Sequence, residues 1–129
     1  MIRFFTRWRA KRRYIWKEEF ESGIADLQAD LAADRAKEKL KLSAQLMKEA
    51  EAIEENIRTE EATPEYQALQ GKEKYEAEQE KKDAERIAAS KRQEAQQEEQ
   101  AAQGSSDTAR MFRRQAAAGR ETADRLRRL

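Results

Sequence analysis

Between Phe20 and Ile57 an apolar residue returns at every eleventh position: Phe20, Leu31, Leu42 and Ile53. A second row at the same step reads Ile24, Arg35, Leu46 and Ile57, and a third reads Leu27, Glu38 and Glu49. Interleaved, the rows form one stripe holding eight of the ten strongly apolar residues between positions 18 and 63; only Leu40 and Met47 miss it. A strict heptad begun at Phe20 captures just the first four. An eleven-residue repeat is about 3.67 residues per turn, so the stripe keeps its direction on a nearly straight helix or drifts slightly right-handed. The pattern predicts a long helix over 18–61 whose partner-helix seam is Phe20, Ile24, Leu27, Leu31, Leu42, Leu46, Ile53 and Ile57. Arg35, Glu38 and Glu49 interrupt it, so the seam reads as half a core.

The rest of the chain divides around that stripe. Residues 1–17 form a basic aromatic arm, and Gly23 just beyond is a candidate bend. Thr63-Pro64 is the clearest punctuation, because Thr caps a helix well and Pro fits the first helical position but not the interior. A second, highly charged helix is expected over 62–103. A short connection favours an antiparallel hairpin. Its large apolar residues are only Tyr66, Leu69, Tyr75 and Ile87, with Ala77, Ala84, Ala88 and Ala95 as a thin face permitting close helix approach. Gly104-Ser105-Ser106-Asp107 reads as a linker over 104–107 that supplies an N-cap. A last, Arg-rich helix over 108–129 spaces Phe112, Ala116, Gly119, Ala123 and Leu126 by 4-3-4-3.

Composition agrees with helix and argues against a globular core. Charged residues are 41% of the 129, aromatics 7%, mean hydropathy is −1.15, and Val is absent, so strands have little to start from. The fold class expected is all-α: an elongated helical rod or coiled-coil hairpin with a hendecad apolar repeat and a short C-terminal basic helix. The net charge of +1 conceals segregation. Residues 1–17 carry seven Lys and Arg without an acid, 18–103 sum to −10, and 104–129 sum to +4. Such a distribution invites either anionic partners at the ends or association between ends and middle. Asp26, Asp30, Asp34 and Glu38 form an acidic ridge at i, i+4 spacing, either solvated or covered by something basic.

With neither Cys nor His, the chain offers no disulfide, thiol or imidazole chemistry, and the usual zinc ligand sets are missing. The four Gly stand apart, so no phosphate-cradling loop is written in the sequence. No catalytic residue, metal ligand, cofactor or small-molecule substrate is expected. Nor is there an apolar run long enough to span a bilayer, and Arg interrupts the N-terminal apolar residues too often for a secretory signal.

Two surfaces carry candidate function. In the N-terminal arm, Arg3, Phe4, Phe5, Arg7, Trp8, Arg9, Lys11, Arg12, Arg13 and Trp16 mix rings and cations, with Phe4, Phe5, Trp8, Ile15 and Trp16 on one helical arc. That chemistry suits anionic membrane headgroups. It also suits an acidic protein groove, nucleic acid through phosphate contacts and base stacking, or a targeting peptide. At the other end, Phe112, Arg113, Arg114, Arg120 and Leu126 form a docking face for an acidic partner, nucleic acid or the acidic middle of another copy. The composition resembles that of peripheral-stalk subunits of rotary ATPases and of phage scaffolding proteins, a resemblance that rests on no motif and assigns no residue a role. The reading is a structural or adaptor protein, a helical tether or spacer in a larger assembly. Protein partners or self-association are expected through the seam, with an intracellular, virion or organelle-associated location that is peripheral to any membrane. The alternative is a nucleic-acid-associated or virion assembly factor.

Overall fold

The computed structural model describes the backbone of residues 2–129 and side chains from residue 5 onward. Three helices account for nearly all of it: α1, Ile2–Glu61; α2, Pro64–Gln67; and α3, Gly71–Arg128. Among the described residues there is no strand, and the protein is all-α. Ala, Glu, Lys, Gln and Arg lose little on entering a helix, so long segments of them need few tertiary contacts to hold their shape.

The helix boundaries differ from the sequence expectation in three places. The arm over 1–17 is not separate, since α1 runs from Ile2 through Gly23 without a break. The linker over 104–107 is helical, and with it the proposed separate helix over 108–129 is simply the end of α3. Thr108 Oγ1 donates to the Gly104 carbonyl at 3.0 Å, the back-bond of a helix interior rather than a cap. Flanking Ala102 and Ala109 are both buried, and that packing outweighs the weak propensity of Gly, Ser and Asp. Finally, Pro64 opens only the four residues of α2, and the second long helix starts at Gly71. The Thr63 cap is as expected: its Oγ1 accepts from Tyr66 N at 3.3 Å, with Pro64 at the first helical position. Gly71 has φ +66, a left-handed conformation that a side chain would strain.

Tertiary contacts divide the chain into two units, Met1–Lys37 with Gln103–Leu129, and Glu38–Ala102. In the second unit the chain reverses, so that Glu61 pairs with Lys81, Glu54 with Arg92, and Glu49 with Lys91 at 2.7 Å. Its core is Ser43, Leu46 and Ala50 against Ala88, Ala95 and Ala102. Ser43 Oγ donates across to the Ala95 carbonyl at 2.8 Å, which satisfies a buried hydroxyl. In the first unit, Ser22, Ala25, Ala29, Ala32 and Ala36 are buried on α1, and Ala109, Ala116 and Ala123 on α3. Arg120 pairs there with Asp26 and Arg127 with Glu19, again antiparallel.

The core is therefore small residues at seven-residue spacing: Ser22, Ala29, Ala36, Ser43 and Ala50 on α1, and Ala88 through Ala123 on α3. The apolar stripe, whose partner the sequence leaves open, is for the most part not this intramolecular core. Phe20, Ile24, Leu27, Leu31 and Leu42 are exposed, Leu27 by 65%; Leu46 is buried, and Ile53 and Ile57 are half-buried. The physical reason is approach distance. A seam of methyl groups lets helix axes approach toward the short end of the usual range of about 8–10 Å, and a Leu or Phe there would push them apart. Gly119 marks one close approach: a Cβ there would collide with Ser22 Oγ and sit 3.3 Å from the Glu18 carbonyl oxygen. Ser22 Oγ already donates to that same oxygen at 2.7 Å.

Gly104 and Gly119 thus respond differently to one substitution. Gly104→Ala meets nothing within 4 Å and stabilises by about 0.5–1 kcal/mol through helix propensity. Gly119→Ala loses that gain to the displaced Ser22 and is neutral or destabilising. Urea unfolding followed by circular dichroism checks both; equal stabilisation by the two would refute the close approach.

The ion pairs of the second unit set a pH window. Glu49 and Glu54 are held below the ordinary 4.5, Glu49 chiefly by the hydrogen bond from Lys91 and Glu54 by that from Arg92. Their contribution is complete above the unfolded value and is lost as pH falls through the depressed folded values. Lys81 is raised above 10.5, first by its hydrogen bond to Glu61, so its contribution is complete below that value and lost as pH rises through the folded one. The melting temperature should be level between these limits and fall below 4.5. Glu54→Gln should flatten the acid limb, as read by thermal melts across pH.

Candidate functional site

The helix period of 3.6 residues places side chains four apart in a row along one side. In the N-terminal part of α1 that row is Trp8, Arg12, Trp16 and Phe20. The Arg12 guanidinium carbon lies 5.0 Å from the Trp8 ring centroid, within cation–π range. One turn further, Trp16 and Phe20 stack with centroids 5.1 Å apart and planes 11° from parallel. All four are exposed, Trp16 by 65%. Trp8, Arg9, Arg12, Arg13 and Trp16 line a shallow groove on this face. The row pre-orders rings and a cation without covering them, since its contacts run along the helix rather than to α3.

The individual residues fall out as follows. Phe5, Arg7, Arg9 and Arg13 are exposed, whereas Lys11 is half-buried on the side that faces the small-residue core. Ile15, expected on the aromatic arc, is also half-buried. Arg3 and Phe4 belong to α1, but their side chains lie outside the described residues.

The C-terminal set is split. Phe112 and Leu126 are half-buried at the edge of the core, and Ala116 and Ala123 between them are buried. This end of α3 is thus docked on α1 of its own chain. Arg120 reaches the acidic ridge at Asp26, so the basic element facing that ridge comes from the same chain. Arg113 and Arg114 remain exposed.

The apolar pattern of the sequence passes over Ser22, Ala25, Ala29, Ala32, Ala36, Ser43 and Ala50 on α1 and Ala102 and Ala109 on α3, all buried, although it places Ala116 and Ala123 on an apolar face. The signal was present in the regular seven-residue return of Ala from 88 to 123. It is easily passed over because a buried methyl contributes only about 0.8 kcal/mol.

Other surfaces offer less chemistry. Glu49 and Glu54 are bound to Lys91 and Arg92, which keeps them ionised and engaged in joining the helices. Among the described residues no group of three or more acidic side chains is placed to hold a metal ion, and no helix is long and apolar enough to cross a membrane.

If the aromatic row is surface rather than core, removing it leaves the fold intact. Trp8→Ala and Trp16→Ala should each change unfolding free energy by less than about 0.5 kcal/mol. Leu46→Ala should cost about 2 kcal/mol. Chemical denaturation of the three variants makes the comparison. Comparison with protein-family models, with curated proteins and with solved structures finds no match.

Proposed function

We propose that this chain is a non-enzymatic helical spacer or adaptor, a coiled-coil hairpin whose N-terminal face on α1 docks on an anionic membrane surface. The observation that carries the reading is the exposed row Trp8, Arg12, Trp16 and Phe20, flanked by Arg7, Arg9 and Arg13. Indole rings settle in the headgroup region, where one edge is wet and the other apolar. Guanidinium groups beside them reach lipid phosphates, each contributing about 1 kcal/mol near an anionic surface. The face is amphipathic and lies along the helix surface, which suits a helix lying in the interface plane.

The same rings and cations also suit unpaired nucleic acid, where aromatics stack on bases. Flotation of the full chain with phosphatidylserine-containing vesicles, run beside a gel shift with a single-stranded oligonucleotide, separates the two. Membrane docking predicts flotation with anionic but not neutral vesicles and a blue shift of Trp emission. Arg9→Gln with Arg13→Gln should weaken vesicle binding about 30-fold. Flotation that is absent, or indifferent to lipid charge, overturns the reading; an oligonucleotide shift in its place selects the assembly-factor alternative.

A further inference from the structure

Phe20, Ile24, Leu27 and Leu31 are spaced 4-3-4, the a/d spacing of a heptad seam. Their exposures are 54, 41, 65 and 59%. In the same frame the intramolecular core of the first unit occupies Ser22, Ala25, Ala29, Ala32 and Ala36, on the opposite side of α1. Helix α1 therefore carries two seams, one of methyl groups turned to α3 and one of large apolar side chains turned outward. A contiguous exposed row of four large aliphatic and aromatic residues is more than scattered surface hydrophobics require.

We infer that the outer seam is the interface for a second copy of this chain, paired antiparallel so that Ile24 of each copy layers on Leu27 of the other.

The charges beside the seam choose both the occupant and its direction. Continuing the same heptad backward reaches Lys17 and Arg13, and forward it reaches Asp34. In an antiparallel pair a positions layer against d positions. Centring the pair between Ile24 and Leu27 sets Phe20 against Leu31 and Lys17 against Asp34, each twice by symmetry. On one flank Glu21 of one copy comes near Arg35 of the other. A parallel, in-register pair would instead set Lys17 against Lys17 and Asp34 against Asp34, like charges in a partly desolvated seam. The apolar heart is thus bounded by a basic end and an acidic end that complement each other only when a copy is inverted. Such an isologous contact closes on itself and produces a dimer rather than a filament. Lys17, Glu21, Asp34 and Arg35 are all exposed. The nearest partner of Lys17 is Glu21 at 4.0 Å, a loose pair on the open surface.

The interface shares Phe20 with the aromatic row proposed for membranes, but it is read without vesicles and at Lys17, Leu27 and Asp34, which lie outside that row, so neither result decides the other. Sedimentation equilibrium of the full chain should show a reversible dimer. Leu27→Glu should raise its dissociation constant by about 100-fold or more, because each dimer loses two buried leucines. Circular dichroism of that variant should be unchanged, since Leu27 is outside the intramolecular core. Lys17→Glu alone should weaken the dimer, and adding Asp34→Lys should restore it. The chain has no cysteine, so Ile24→Cys and Leu27→Cys can report the register. The mixture should form a disulfide-linked pair faster than either variant alone. A monomer at about 100 μM, a dimer indifferent to Leu27→Glu, or a charge exchange that fails to restore association overturns the inference.

Discussion

Close approach of helix backbones is the constraint on which the structure of each unit depends. A seam of Ala and Ser at seven-residue steps leaves little room for larger side chains, and where Gly119 meets Ser22 even a Cβ would collide. Each methyl contributes little by area, so the stability of such a seam comes from many short contacts repeated along the helices. Ser43 fits the same logic: a side chain small enough for the seam whose hydroxyl finds the Ala95 carbonyl opposite. Pairs such as Glu54 with Arg92 then bridge the helices from the rim, where water screens them.

A thin core displaces the large apolar residues outward. Where the two patterns on α1 meet, at Leu46, Ile53 and Ile57, apolar side chains still turn toward α3. Further toward the N-terminus they diverge, and Phe20 through Leu31 stand on the opposite side. That divergence follows from arithmetic. A seven-residue repeat and an eleven-residue repeat advance round a helix at slightly different rates, so they coincide over a few turns and then part. The surface so created is rich in rings and aliphatic groups beside strong charge.

Charge segregation has a similar two-sided outcome. Part of the C-terminal arginine content is spent within the chain, Arg120 on Asp26 and Arg127 on Glu19. Among the described N-terminal cations, Arg12 leans on Trp8, Lys17 lies beside Glu21 of its own helix, and Arg9 and Arg13 line an open groove. The two basic ends, alike in composition, therefore differ in availability. Composition could not separate them, because the separation depends on which end finds acidic side chains across an antiparallel pair.

An all-helical fold was legible from the residues themselves, since the absence of Val and the abundance of Ala, Glu, Lys and Arg leave little else to form. The break at Thr63-Pro64 was legible for the same local reason, a cap and a missing amide hydrogen. Part of the aromatic row was legible too: helix periodicity alone sets Trp8 and Trp16 on one arc, whereas it also drew in Ile15, which is half-buried, and left Phe20 to the seam. Only the tertiary structure decided which face of α1 is the inside. Hydrophobicity marks Phe20, Ile24, Leu27 and Leu31 as a seam and leaves its partner open, whereas burial within the folded chain falls on Ser22, Ala25 and Ala29. It likewise carried helix through 104–107, where local propensity favours a linker and packing on either side prevails. Both outcomes share one cause: how near two helices can come is a property of the pair, and no single position announces it.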